Sequence, residues 1–296
     1  MEREGNTTSV VIATVGRASR LAASLEAYEH LDPNTPPFEV IVVLDGEDPA
    51  SRAVCEQARP FPLRVLSQER AGNGPAKNRG AEAAAGELVL FLNDDTRPDP
   101  SCLAAHDEAQ RRLGPCVALG RVEWDPEAEV TPYMEWLAPA GHQFNFSRLD
   151  PARPLPWDAT WGAHLAVPRR WALDHPFDPV FPYPSLEDIE WGWRVANAGL
   201  PMRYVPEAVC YHDHLYRAPR DYRFRARVSG AAARSVALRH PALLWPLIAR
   251  PKLAAAVRAL SMLWPGNWRR EMLWDLDFRC NAVLGMLQPR RRDRLH

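Results

Sequence analysis

The residues with the most chemical potential lie far apart in the chain. Asn93, Asp94 and Asp95 follow directly on the apolar run Val89–Leu92. Packing cannot stabilise acids at the end of a buried strand, so water, a cation or a metal must solvate them. Hard oxygen donors of this kind suit Mg or Mn, which typically bridge to phosphates; an isolated Asn-Asp-Asp is also what a solvated loop looks like. Asp45 closes a second apolar run, Phe38–Leu44, where a turn or a helix cap would serve equally well. Lys77 and Arg79 follow Gly72 and Gly74 at the start of a helical stretch, and a helix N-terminus with two cations favours a diphosphate. Glu187 and Asp188 open another helix. The macrodipole alone accounts for acids there; a carboxylate in reach of a hydroxyl is also a general base. His212 and His214 alternate in extended chain, which predicts opposite directions and at most one imidazole at a shared site.

The elements that must position these groups follow a simple rhythm. Strands are expected at Ser9–Thr14, Phe38–Leu44, Leu63–Leu66, Glu87–Leu92, Cys116–Val122, Gly162–Val167 and Pro201–Val205. Helices are expected at Arg17–His30, Pro49–Ala58, Pro75–Ala85, Asp99–Leu113 and Ser185–Ala198, the last capped by Ser185 and ended by Gly199. Strands alternating with helices predict a mainly parallel sheet with helices on both faces, in which the acids after Leu44 and Leu92 share one edge. Ligands of open α/β sheets bind at that carboxyl edge.

At 296 residues and 46% hydrophobic, the chain can bury a large core. A net charge of -1 gives no reason to expect nucleic acid. Five scattered cysteines without a CxxC pair read as reduced thiols, hence a cytoplasmic protein. Met1–Thr8 is too polar for a signal peptide, and no run of roughly 18 apolar residues predicts a spanning helix.

Between Trp124 and Trp161 the rhythm breaks, as in a loop excursion over the active edge. Trp124, Trp136, Trp157 and Trp161 offer flat faces to stack on a ligand or to fill the core, and Trp161 lies just before the strand that leads toward the Ser185–Ala198 helix. Beyond Tyr216, Arg220–Arg239 is basic and helical, and prolines divide Pro241–Leu287 into short helices. These segments suit a cap on the sheet, a dimer interface or a peripheral contact with an anionic membrane at its inner face. Disorder is expected in the basic run Arg290–Arg294.

In order, SVVIATVGR, VIVVLDGED, GNGPAKNRGAEAAAGELVLFLNDDTRPDP and SLEDIEWGWRV resemble the motifs of the inverting family 2 glycosyltransferases, over about Ser9 to His214. The resemblance implies a GT-A fold: a catalytic domain over 1–215, with a nucleotide-binding half (about 1–98) and an acceptor-binding half (99–215), then a helical extension over 216–296. It implies a nucleotide sugar, UDP-linked, as donor and a saccharide, lipid-linked or other hydroxyl acceptor. It gives Asp188 the role of base, and places Ala13, Thr14, Val15, Arg17, Asp45, Lys77, Asn93 and Asp94 at the nucleotide sugar. Asp95 and His212 would hold Mn or Mg, while Trp161, Glu187 and Trp191 would face the acceptor.

The chain departs from the pattern at Asn93, where the family has Asp, at Leu44, and at Gly162-Ala163-His164, where Gly-x-Asn is frequent. Two other readings stay open. A nucleotidyltransferase shares the sheet and the acids, but Ala13–Arg17 holds one glycine where a Gly-rich loop is expected. A non-catalytic sugar-binding relative would have no need of Asp95 and Asp188.

Overall fold

The computed structural model describes residues 8–138, 142–181, 185–261 and 270–287. In chain order the elements are β1 (Thr8–Thr14), α1 (Ala18–Ala27), β2 (Phe38–Asp45), α2 (Pro49–Cys55), β3 (Leu63–Gln68), α3 (Asn73–Ala83), β4 (Leu88–Asn93), β5 (Thr96–Pro98) and α4 (Cys102–Leu113). They continue with β6 (Val117–Trp124), α5 (Pro132–Leu137), β7 (His164–Pro168), α6 (Arg169–Asp174), α7 (Glu187–Asn197), β8 (Met202–His212), α8 (Pro219–Arg239), α9 (Arg250–Ser261) and α10 (Arg270–Leu287).

The strands form one mixed sheet in the order β3-β2-β1-β4-β7-β6-β8-β5. β1 to β4 run parallel, β7 is antiparallel to both β4 and β6, and β8 is parallel to β6. Strand period then sorts the core. Val10, Ile12, Val42 and Leu90 pack with Leu21 and Leu25 of α1 and Leu103 of α4 on one face. Val11, Ile41, Val43, Val89 and Phe91 pack with Ala76 of α3 and Trp191 and Val195 of α7 on the other. Strands covered on both faces are the reason Val40–Leu44 and Leu88–Leu92 read as unbroken apolar runs.

Several sequence expectations need correction. The last strand runs to His212 rather than stopping at Val205. Its register against β6 jumps from Val205 to Val209, and Pro206, which has no N–H to give the ladder, sits in the displaced segment. The short strand β5, absent from the sequence reading, pairs with the end of β8. Ser185 does not cap α7: its hydroxyl bonds Ser229 of α8 at 2.8 Å. The residue before the helix is Leu186, in the left-handed region (φ 64°, ψ 2°). It is the one non-glycine residue with positive φ among the described residues, at a cost of about 1–3 kcal/mol that the surrounding packing must offset.

The C-terminal segment lies on the rest of the fold as a helical layer. α10 pairs with α8 through Arg223–Asp277 and Arg227–Asn281 contacts. Buried Asp275 joins α10 to His142 and to Arg258 of α9, and pairs with Arg279 one turn on. These partners overcome the effect of burial and hold its carboxyl below the usual range. Among the described residues no helix is long and apolar enough to cross a membrane. The polar start before Thr8 and the basic run Arg290–Arg294 lie outside the described residues.

Candidate functional site

The carboxyl edge of the sheet carries two groups of charged residues, joined by the loop from Trp161 to Ala163. The first is built where β1 and β4 end side by side. Thr14 Oγ1 donates to Asp94 at 2.7 Å, and Arg17 Nη1 bonds both Asp94 (3.0 Å) and Asp95 (2.9 Å). Arg20, in the first turn of α1 and three residues after Arg17, lies 3.7 Å from Asp95. His212 and His214 approach Asp95 to 3.7 and 3.9 Å.

That last pair corrects the alternation argument. The ladder ends at His212, so period two no longer applies one residue later. Asp213 N–H donates to the Asp95 carbonyl, and the two imidazoles stack with centroids 5.6 Å apart. Both histidines therefore face Asp95.

Electrostatics separate the two aspartates. Burial and the neighbouring charge of Asp95 raise Asp94, although Arg17 opposes the shift. Burial also works against Asp95, but His214, His212 and Arg17 prevail and hold its carboxyl well below the normal range. Burial lowers His212 to about 4, so near neutral pH its imidazole is neutral and has a free lone pair.

These residues fit a divalent metal. One ligand atom each from Asp95, His212 and His214 lies within 4.8 Å of the others. Asp95 Oδ1, which faces His212 Nε2 at 3.7 Å, is buried with no hydrogen-bond partner, a state that coordination would relieve. One carboxylate and two imidazoles suit Mn better than Mg, which strongly prefers oxygen.

The second group sits at the N-terminus of α7. Asp188 Oδ2 accepts from Gly162 N–H at 2.8 Å, and Oδ1 accepts from Ile189 N–H at 2.8 Å. The carbonyl of Gly162 accepts from Lys77 Nζ at 2.7 Å. A Cβ on Gly162 would lie 2.8 Å from that nitrogen and 3.2 Å from Asp188 Cβ, so this clamp has no room for a larger residue. Glu187 Oε1 accepts from Asn73 at 2.7 Å, while its buried Oε2 has no partner. Burial, then the charge of Asp188, raises Glu187 to about 7 against the pull of Lys77. Glu190, the third acid of the first turn, is tied off by Arg194 and His240.

A chain of contacts joins the parts. Asp45 accepts from Gln68 and from the amides of Ala71 and Gly72, which shapes the entry to α3. The first residue of α3, Asn73, reaches Glu187. Asn93 N–H bonds the carbonyl of Ala163 at 3.4 Å, next to the Gly162–Asp188 contact. Ala13 and Val15 are half-buried at the end of β1. A cleft of about 690 Å³ opens beside them over the ends of β2 and β3, lined by Gly46, Asp48, Arg52 and Gln68 among others.

Some expected roles do not match these positions. Lys77 is 1% exposed, beneath Gly162 rather than at the cleft surface, so it supports the loop and α7 instead of meeting a diphosphate. Burial lowers its pKa, against the pull of Glu187 and Asp188. Arg79 lies two residues further on, which turns it to the exposed side of α3. Trp191 does not face an acceptor: it is 1% exposed, stacks on Phe177 and donates its indole N–H to the His175 carbonyl. Trp161 is half-buried and packs against Phe144 and Phe146. Asp45 spends both oxygens on its own loop, which leaves fewer lone pairs for a base than expected.

Sequence reasoning missed Arg20, Asp48 and Arg225, and chose His212 over His214 where the structure brings both to Asp95. Asp48 accepts from Gly16 N–H at 2.7 Å and from Ser51 N–H, fixing the turn after β1 and capping α2. Arg225 comes from α8, and its charge acts on Asp95, Glu187 and Tyr216. The i, i+3 spacing of Arg17 and Arg20 was visible in the sequence; nothing local marks Arg225.

Known proteins resemble this chain in sequence and in fold. The family model described as glycosyl transferase family 2 matches residues 9–162, just over half the chain. A validoxylamine A glucosyltransferase of Streptomyces hygroscopicus subsp. jinggangensis is 28% identical over 231 residues, 68% of this chain and 54% of that protein. The chain thus spans about half the length of that curated relative. Among solved structures, a mannosyltransferase of Pyrobaculum calidifontis in complex with GDP-Man and Mn2+ superposes with a TM-score of 0.65 at 18% identity, covering 96% of this chain and 88% of that one. The S. aureus TarS 1-349 fragment in complex with UDP-GlcNAc gives 0.55 at 18% identity, covering 77% and 66%. With its sheet, its edge acids and this family match, the chain belongs to glycosyl transferase family 2.

Proposed function

We propose that this protein is a metal-dependent inverting glycosyltransferase that moves a hexose from a UDP-sugar to an acceptor hydroxyl, with Asp188 as general base. The observation that carries this is the junction at Gly162: one three-residue loop links the end of β4, where Asp95 meets two histidines, to the carboxylate of Asp188. Asp95, His212 and His214 would hold Mn, which supplies positive charge to a diphosphate when bound. Arg17, Arg20 and Arg225 add cations to the same edge.

On the acceptor side, the Gly162 amide orients the Asp188 carboxylate, leaving lone pairs to take the hydroxyl proton as the oxygen attacks the anomeric carbon. A single attack opposite the leaving group inverts that centre. Lys77 holds Gly162 from below, so it acts on the base through the loop. A second reading has one observation in its favour: Glu187, with its unpartnered oxygen and a pKa near 7, is a competing base.

The test is release of nucleoside diphosphate from a panel of UDP- and GDP-sugars with Mn, with the product anomer read by NMR. The proposal expects Mn-dependent turnover of a UDP-sugar with an inverted anomer. A retained anomer, or turnover unchanged by EDTA, contradicts it.

The acceptor side extends to a lipid surface. Trp245 and, on α9, Leu253, Val257 and Leu260 are 57–66% exposed beside Arg250 and Lys252, and α9 has no acid. An apolar stripe flanked by cations suits an anionic membrane, where a lipid-linked acceptor would lie. Full-length protein should co-sediment with phosphatidylglycerol vesicles, and a Leu253→Ser/Val257→Ser/Leu260→Ser variant should not. Equal sedimentation of the two, or none with wild type, rejects the membrane contact.

A further inference from the structure

Behind the edge site, on the α1–α4 face of the sheet, lies a second cluster that the proposed reaction does not use. Cys102 and His106 are four residues apart on α4, so they share one face. They meet His164 of β7 and Cys210 of β8, and all four residues are no more than 1% exposed. Cys102 Sγ lies 3.4 Å from His164 Nε2 and 3.7 Å from Cys210 Sγ. Cys210 Sγ lies 3.8 Å from His164 Nε2, and the Nε2 atoms of His106 and His164 are 2.8 Å apart.

Hydrogen bonding alone serves this cluster poorly. His164 Nδ1 lies 3.1 Å from the Arg121 carbonyl and donates to it, so in the neutral ring Nε2 has a single lone pair. Three groups converge on that lone pair, and only one can use it. His106 Nδ1 is buried with no partner at all. The ring of His164 is also seated by design of the backbone: a Cβ on Gly120 would lie 2.1 Å from its Cε1.

We propose that Cys102, His106, His164 and Cys210 form a structural zinc site. For tetrahedral zinc with Zn–S of about 2.3 Å and Zn–N of about 2.0 Å, the ligand edges are about 3.8 Å for S···S, 3.5 Å for S···N and 3.3 Å for N···N. Of the six edges, the S···S edge and the two S···N edges at His164 match, and ligand atoms of Cys102, His106 and His164 lie within 4.8 Å of one another; the N···N edge opens by about 0.5 Å on replacing a proton with the metal, as His106 shifts toward Cys210 to close the shell. Two thiolates and two neutral imidazoles give a neutral centre, which an apolar interior tolerates, and binding releases the two thiol protons. The His164 Nδ1–H bond to a carbonyl is the usual outer support of a zinc-bound imidazole. A soft S2N2 set selects zinc over the hard cations that suit Asp95. The tie would fasten α4 to β7 and β8. Gly162 lies two residues before His164, and His212 two residues after Cys210, so the tie steadies both halves of the edge site.

The test uses the full chain, expressed with zinc in the medium and purified without chelator. Elemental analysis should find roughly one zinc per chain in wild type and in Asp95→Ala, and none in Cys102→Ser/Cys210→Ser. Cobalt exchanged into wild type and Asp95→Ala should give a thiolate-to-metal charge-transfer band, which a carboxylate–imidazole site cannot produce. If the double variant does not fold, His106→Asn and the wild-type cobalt spectrum decide the matter. Wild type free of zinc and without the cobalt band overturns the proposal. So does zinc that stays in the double variant or leaves only with Asp95→Ala.

Discussion

Cys210 and His212 stand two residues apart on one strand, yet they belong to metal-ligand clusters of opposite character. His212 joins Asp95 and His214 at the carboxyl edge, among Arg17 and Arg20. Cys210 joins a sealed group of two thiols and two imidazoles. The first has an anionic oxygen donor with an unpartnered atom and the part-exposed side chains of Arg17 and His214 at its rim, which suits a cation that meets a phosphate. The second has soft donors and no access, which suits a resident ion. Donor type and burial, more than the number of histidines, decide what each can do.

The largest effect expected at the open cluster's partner is on chemistry. Asp188→Asn should lower kcat about 10²–10⁴-fold with UDP affinity and zinc content unchanged. If Glu187→Gln shows that loss instead and Asp188→Asn does not, the base is Glu187. Next in size, His214→Ala should weaken Mn-supported UDP binding about 10–100-fold and leave the cobalt–thiolate band intact. No change in Mn affinity would return His214 to a packing role and leave Asp95 and His212 as the pair read from sequence.

The smallest effect is on stability. Burial and Asp188 lift Glu187 from 4.5 to about 7, so between those values the folded chain keeps a proton that the unfolded chain gives up. Rising pH through this window must therefore withdraw stability. The Tm of wild type relative to Glu187→Gln should fall by a few degrees, about 2–4, between about pH 5 and 7.5. A difference independent of pH would show that Glu187 is ionised throughout.

Much of the scaffold was legible because its signals are local. Two-sided burial made β2 and β4 continuous apolar runs, and the acids after them marked the edge. The failures came where tertiary structure overrides a local rule. A bulge carried β8 past Pro206, and the end of that strand put His212 and His214 on the same carboxylate. Helix period placed Trp191 on α7 but could not say that this face meets Phe177 rather than a cleft. Lys77 looked like a surface cation until α7 and Gly162 closed over it. His164, which departs from the family's Gly-x-Asn pattern, is fully buried and turns its ring into the thiol cluster.

Calorimetric titration of UDP into wild type and Asp95→Ala, each with Mn and with EDTA, tests the edge site most directly. Wild type should bind UDP tightly only with Mn, and Asp95→Ala should bind weakly in both conditions. UDP affinity that ignores Mn in wild type, or survives the loss of Asp95, contradicts the assignment.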